Sequence, residues 1–338
     1  MVTSLDVAKM ANVSVSSVSR TFQGKGYISN DTKLKVLEAA HKLGYTPNLL
    51  ARSLRNNRSK TIGLIISNID NTFYSDIAKY IEMELRKLDY RLIVTYSDRS
   101  LEQERNCLEL LSSSRVDGII LIPVKPQKSK SNLKYIDALI RQNIIILQAF
   151  HRQYEALDSV IIDDYNGSYL ATNYLINNGH VNIISVQGEG NVIKLDGYTQ
   201  AFTDNGLQVG KNNILTIPSH ADAIDIISRT FVENRPTAVI ANDNRITLDV
   251  LKVCKSLNLK IPDQISIIAH DDSAWLNQMG LSSIQKPKET IGRAICNNLL
   301  NRINAVTAST DPITLKMETS LIMRRSIKNL HFPKPDIS

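Results

Sequence analysis

The chain has 338 residues, 43% hydrophobic and 22% charged. That is too long for one ordinary domain and normal for a globular protein with a substantial core. Its net charge of +7 is local: residues 1–60 hold ten Lys/Arg against three Asp/Glu, and residues 61–338 balance. A generally cationic, membrane-adhering chain is therefore excluded, and a compact polyanion reader joined to a neutral body is indicated.

No apolar run approaches ~18 residues, so no membrane partner is expected. The segment from Met1 to Asp6 lacks a basic stretch followed by an apolar one, so a cytoplasmic protein without an export signal is expected. Cys107, Cys254 and Cys296 are far apart and odd in number, which fits reduced thiols rather than a disulfide framework. The six His are scattered without an HExxH or a His/Cys cluster, so neither a metal nor another cofactor is expected.

Thr3 with Asp6 forms a capping box that opens a helix over Leu5 to Ala11. Asn12-Val13-Ser14 interrupts it, and Ser14 caps a second helix from Val15 to Phe22. Val13 and Val18 have the spacing of a hydrophobic staple. Two short helices joined by a tight turn, the second bearing Ser16, Ser17, Ser19 and Arg20, read as a helix-turn-helix. In that motif the second helix lies in the major groove. A third helix starts at Ser29 and runs through Val36, Leu37 and Ala40 to Gly44 as the apolar lid. The competing reading is a small helical bundle with an incidental basic surface. The localised charge favours nucleic acid.

The stretch from Pro47 to Arg58 has Pro at a plausible first helical position and is too short to be a stable helix alone. Arg52, Arg55 and Arg58 flank Leu54. Cations around one apolar wedge suit a minor-groove insertion that unstacks a base step. A solvated linker would more often be rich in Gly, Ser or Pro.

Residues 5–9 (LDVAK), 13–20 (VSVSSVSR), 36–48 (VLEAAHKLGYTPN) and 50–55 (LARSLR) resemble the LacI/GalR family of bacterial transcriptional regulators, in register across this segment. The resemblance implies a headpiece over 1–46, a hinge helix over 47–60, and a homodimer reading palindromic double-stranded operator DNA. It places Val15, Ser16 and Arg20 on base edges, with Arg20 able to make a bidentate contact to guanine. Ser14, Ser19, Tyr45 and Asn48 would contact phosphates. Ser17 belongs to the same helix face, Ala51, Arg52 and Arg55 to the hinge, and Leu54 would be the wedge.

From Thr61 apolar runs alternate with helical segments. Strands are expected at 62–66, 92–96, 118–123 and 144–150 in the first half, and at 160–163, 183–186, 238–241 and 265–269 in the second. Near-continuous Ile/Val/Leu strands spaced by helices indicate parallel sheets buried on both faces. Two such groups imply two α/β lobes with a cleft between them, whose ligand lies outside the carboxyl ends of the strands. The residues just past those ends are polar or aromatic: Asn68 to Tyr74, Ser97-Asp98, Asn242-Asp243 and Asp271-Asp272. Each alone reads best as a turn or cap, and their shared location favours a cleft.

The resemblance continues through TIGLIISNIDNTFYSDI (61–77), RVDGIILIP (115–123), DDYNGSYLATNYLINNGH (163–180), AVIAND (238–243) and MRRS (323–326). It implies a periplasmic-binding-protein-like effector and dimerisation domain over 61–338. Lobe 1 would span about 61–158 and 288–318, and lobe 2 about 159–287 and 319–332. The effector would be a sugar, sugar phosphate or related metabolite. Phe73 and Tyr74 would pack on the ligand's apolar face, Asn242 and Asp271 would bind its hydroxyls, Trp275 would stack on a ring, and Asn71, Asp98 and Phe150 would complete the effector site. Lys194 stands where relatives carry Arg, and so lacks the bidentate fork. Phe150-His151 replaces an Asp-Arg pair, Asn68 and Thr72 replace Asp and Pro, and His270 replaces an aromatic residue. These departures point away from a standard hexose site, toward a phosphorylated or less hydroxylated metabolite.

The expected function is a ligand-controlled, sequence-specific repressor, not an enzyme. A phosphocarrier protein acting as corepressor remains open within that reading. An enzyme built on the lobes would need a nucleophile–base constellation, a GxSxG, a P-loop or a metal cluster, and none is apparent. A transport solute-binding protein would need an export signal and no DNA module.

Overall fold

The computed structural model describes residues 2–23, 26–46, 58–125, 131–188, 192–218, 221–305 and 311–331. The chain divides into two compact units, Met1–Ser59 and Lys60–Ser338. The hinge positions Asn48, Ala51, Arg52, Leu54 and Arg55 lie outside the described residues.

In the first unit, α1 spans Ser4–Ala11, α2 Val15–Gln23 and α3 Asn30–Leu43. The Thr3–Asp6 capping box is present, the Thr3 amide donating to Asp6 Oδ2 at 2.9 Å. Asn12 ends α1 in the left-handed region at φ 52°. Ser14 Oγ then accepts from the Ser17 amide at 3.1 Å, so the start of α2 is fixed by the Ser14 side chain. Val7, Ala8, Ala11, Val18, Val36, Ala39 and Ala40 form the core, with Val13 packed beside Val18 in the same cluster. Leu37, expected in the apolar lid, is instead 41% exposed, and Ala39 takes the inward place. Small Ala residues allow three short helices to approach closely, and so little apolar volume leaves the surface to polar side chains.

The second unit holds two six-stranded sheets with helices on their faces. Its strands and helices run, in order, β1 Thr61–Ile66, α4 Thr72–Arg86, β2 Arg91–Tyr96, α5 Leu101–Ser113, β3 Gly118–Leu121, α6 Leu133–Arg141, β4 Ile145–Phe150 and β5 Asp158–Ile162. They continue with α7 Asp164–Asn177, β6 Ile183–Gly188, α8 Val192–Asp204, β7 Ile214–Ile217, α9 Ala223–Asn234, β8 Ala238–Ala241 and α10 Asn244–Ser256. The last are β9 Ser266–His270, α11 Ala274–Met279, β10 Ser282–Gln285, α12 Lys288–Asn304, β11 Thr314–Met317 and β12 Ser320–Ile322.

The first sheet has the order β11-β5-β4-β3-β1-β2 and is parallel throughout. The second has the order β12-β10-β9-β8-β6-β7, parallel except where β12 pairs antiparallel with β10. Strand order reverses between β1 and β3 in one sheet and between β6 and β8 in the other. In open α/β sheets such reversal points open a crevice at the carboxyl ends, because the flanking connections leave to opposite faces.

β5 pairs with β4 and β11, so it belongs to the first sheet. The chain thus leaves that sheet after Ile162, not before Ser159 as the resemblance implied. It returns between β10 and α12, and crosses again between β11 and β12. The four strands at 214–217, 282–285, 314–317 and 320–322 escaped the sequence reading. They are short, and most are polar or at sheet edges, so they lack the apolar runs that marked the others. Helices α7 and α8 pack closely at Gly197, where a Cβ would sit 2.1 Å from the Tyr165 carbonyl oxygen.

Candidate functional site

Helix α2 buries Val18 and leaves Ser14, Ser16 and Arg20 exposed, with Val15, Ser17 and Ser19 half-buried. Its first turn is a hydroxyl network: Ser14 Oγ lies 2.7 Å from Ser16 Oγ and 2.9 Å from Ser17 Oγ. Such a network fixes the hydroxyl positions before any partner arrives. Tyr45 packs against Phe22 with ring centroids 5.7 Å apart, which anchors it beside the C-terminal end of α2.

In the second unit the carboxyl ends of the two sheets bring together residues distant in sequence. Asn71 caps α4 by accepting from the Phe73 amide at 3.0 Å, so its oxygen is occupied in orienting the aromatic pair that follows. Phe73 stacks on Phe150 at 5.2 Å and on Tyr74 at 5.6 Å, forming one wall of rings. Phe150 takes a left-handed backbone, φ 71°, at the end of β4.

Against this wall lies Lys286, whose ammonium is 4.8 Å from the Phe73 ring centre. Lys286 pairs with Asp271 at 2.5 Å and with Asp164 at 3.2 Å. The Lys286 and Asp271 side chains are no more than 5% exposed. Burial pulls the Lys286 ammonium down, but the two carboxylates outweigh it and hold it above its ordinary value. Burial likewise pushes Asp164 up, and Lys286 with Lys194 hold it well below the usual carboxylate range. Asp164 and Lys286 sit on two of the segments that pass between the sheets, so the pair ties the crossings to the end of β9.

Lys194, on α8, is buried and donates to the Asn242 carbonyl at 2.7 Å. Its proton affinity is lowered, by burial first and then by the Lys286 charge. Partial desolvation also lowers Lys125, which stays exposed just past β3, with Lys194 adding to the effect. His151 falls to about 4, again chiefly by burial, with Lys125, Lys194 and Lys286 acting against its protonation. His270 is fully buried with Nε2 3.1 Å from Ser168 Oγ, and burial together with Lys194 and Lys286 drives it well below its ordinary value. Both imidazoles are therefore neutral near pH 7. Two links join the sheets across the cleft: Asn244 Nδ2 donates to Thr72 Oγ1 at 3.0 Å, and Lys288 pairs with Asp76 while donating to the Asp272 carbonyl.

The expected cleft residues thus separate. Phe73, Tyr74, Phe150, Lys194, Asn242 and Asp271 come together. Asp98 is exposed on a left-handed turn beside Asn68 and takes no part in the charged cluster. Trp275 is half-buried and packs on one side against Ala269, Leu276 and Leu281. Asp271 carries an ion pair where a free hydroxyl acceptor was expected. Asp164, Lys125 and Lys286 were not anticipated. Of the neighbouring Asp163 and Asp164, Asp163 is the cap of α7, accepting from the Asn166 amide at 3.1 Å, and Asp164 turns to Lys286. The sole signal for Lys286 is its place at the end of a strand too polar to be recognised.

Residues 3–48 match the family described as bacterial regulatory proteins, lacI family. Residues 59–323 match the periplasmic binding proteins and sugar binding domain of that family. The HTH-type transcriptional repressor PurR of Vibrio campbellii is 28% identical over 98% of this chain and 100% of its own length. Catabolite control protein A of Priestia megaterium is 29% identical over 93% of this chain and 96% of its own. Among solved structures, the lac repressor dimer bound to operator and an anti-inducer superposes with a TM-score of 0.81 at 23% identity, covering 97% of this chain and 99% of its own. The architecture is that of a DNA-binding regulator with a periplasmic-binding-protein-like domain of two mostly parallel sheets. The chain belongs to the LacI family of bacterial transcriptional regulators.

Proposed function

We propose that the protein is a dimeric repressor that binds a palindromic operator and is controlled by a small metabolite held between the two sheets. The observation that carries this reading is the convergence of Phe73, Phe150, Lys194, Asn242 and the Lys286 ion pairs at the facing carboxyl ends, in a chain whose first unit is a separate helix-turn-helix. Val15, Ser16 and Arg20 read bases. Ser14, Ser19, Tyr45 and Asn48 hold phosphates, and Arg52, Leu54 and Arg55 act in the hinge.

The outer strand β2 supports self-association. Leu88, Val94 and Tyr96 are 52%, 45% and 55% exposed on and just before this edge, an apolar strip suited to a second copy. Control follows from linkage. A metabolite that favours one arrangement of the lobes also favours one spacing of the paired headpieces, and shifts operator affinity by that preference. The Asn244–Thr72 and Lys288–Asp272 hydrogen bonds are the contacts such a rearrangement would make or break. The effector class is a sugar, sugar phosphate or related metabolite. Selection of bound DNA sequences, followed by a metabolite screen for altered binding, tests the proposal. A selected palindrome whose affinity responds to a metabolite supports it, and no enrichment over scrambled duplex overturns it.

A further inference from the structure

The three acids of the cleft described above already have partners. Lys286 engages Asp164 and Asp271 within salt-bridge distance, and Asp243 is the cap of α10, accepting from the Ile246 amide at 2.7 Å. The other two lysines differ. Among the described residues, neither Lys194 nor Lys125 lies within 4.0 Å of a carboxylate. Lys194 has three donors and, among the described residues, one hydrogen-bond acceptor, the Asn242 carbonyl. A buried ammonium with unmatched donors is costly, and an anionic oxygen removes that cost through short charge-assisted hydrogen bonds. His151 shares the field of Lys125 and Lys194 and, being neutral, can donate without adding charge.

The neighbouring strand ends show the opposite deficit. Gln187 Oε1 at the end of β6 and Asn242 Oδ1 just past β8 are buried acceptors without a donor among the described residues. Asn242 Nδ2 is engaged with Ser185 Oγ at 2.8 Å, which fixes the amide so that its oxygen is the free atom. β6 and β8 are adjacent at the reversal point of the second sheet, so these acceptors and the Lys194 ammonium share one end of the cleft.

We propose that the cleft takes a hydroxylated organic anion, whose phosphate or carboxylate is held by Lys194 and Lys125 and whose hydroxyls donate to Asn242 and Gln187. The proposal rests on the reading of the cleft as the effector site and narrows its ligand to one chemical class. The ligand supplies acceptors where the protein has excess donors, and donors where it has excess acceptors.

The test uses the full chain, with glucose, glucose 6-phosphate, glucuronate and inorganic phosphate at constant ionic strength, read by calorimetry and thermal unfolding. At least one anion binds and raises the unfolding midpoint, and glucose does not. K194M weakens that anion about tenfold or more, the loss expected for one charge-assisted hydrogen bond. K125M, at an exposed position that leaves the fold intact, weakens it in the same direction. Preference for glucose 6-phosphate and phosphate over glucuronate identifies a phosphate group, and the reverse order a carboxylate. The proposal is overturned if glucose binds as well as its charged forms. It is also overturned if no anion shifts the midpoint, or if the shift is undiminished in both variants, which would place the anion on the basic headpiece.

Operator binding measured by anisotropy in the same samples separates the two readings. Lys194-dependent anion binding without a change in DNA affinity removes the effector role and leaves the ligand class standing. Release or tightening by neutral glucose alone preserves the effector role and removes the ligand class.

Discussion

The headpiece and the body use charge in opposite ways. In the first unit the cations lie on the outside of three small helices, and the core of Val and Ala contains no ionisable group. In the body the charges that matter are inside: Lys286, Asp164 and Asp271 are buried and held by one another, and Lys194 is buried against the Asn242 carbonyl. Exposed charge acts at long range, is screened by salt and suits a polyanion of fixed spacing. Buried charge acts only on what enters the site, and it selects by geometry because every unmatched group is costly.

The largest test of that contrast is Lys286→Met. It leaves two buried carboxylates without their cation and is expected to cost about 3–5 kcal/mol of stability, read by urea unfolding of the full chain. A cost below about 1 kcal/mol would mean that water screens the pairs as it does at a surface. Arg20→Ala should leave stability unchanged and weaken the preferred operator by about 1–3 kcal/mol while relaxing sequence choice. Uniform loss across all duplexes would reassign Arg20 to a phosphate.

Ser29→Ala is the milder headpiece change. Ser29 Oγ accepts from the Thr32 amide at 3.3 Å, and its loss should cost about 1 kcal/mol by uncapping α3. Unfolding of the body should not move, and a coupled shift in both transitions would show that the two units unfold together. The smallest effect is on pH dependence. His151 is lowered in the folded protein to about 4 from 6.5, so the unfolded chain binds more protons between those values. Stability contributed by this residue is therefore present above its unfolded value and falls with pH from about 6.5 down to about 4. His270, lowered further, adds in the same direction. His151→Gln should flatten that part of the profile, and an unchanged slope would locate the protons elsewhere.

Much of the headpiece was legible because its signals are local. A capping box, a staple and a C-terminal Gly act within a few residues, so Thr3, Asp6, Val13, Ser14 and Gly44 mark the helix limits directly. The strands buried on both faces announced themselves as apolar runs. The cleft was legible only in part. Phe73, Asn242 and Asp271 were found because they follow recognisable strands, whereas Lys286 follows Ser282-Ser283-Ile284-Gln285, which has no strand signature.

The linear sequence determined the two-part design, the helix-turn-helix and the alternation that builds parallel sheets, since caps, charge runs and apolar periodicity are properties of neighbouring residues. Only the tertiary structure decided which sheet β5 joins and which lysine neutralises which acid. Those outcomes depend on three passages of the chain between the sheets, which bring residues 164, 271 and 286 into contact across more than a hundred positions. A charge in the sequence carries no mark of its burial, and burial is what turns Lys194 and Lys286 from surface cations into the selective groups of the cleft.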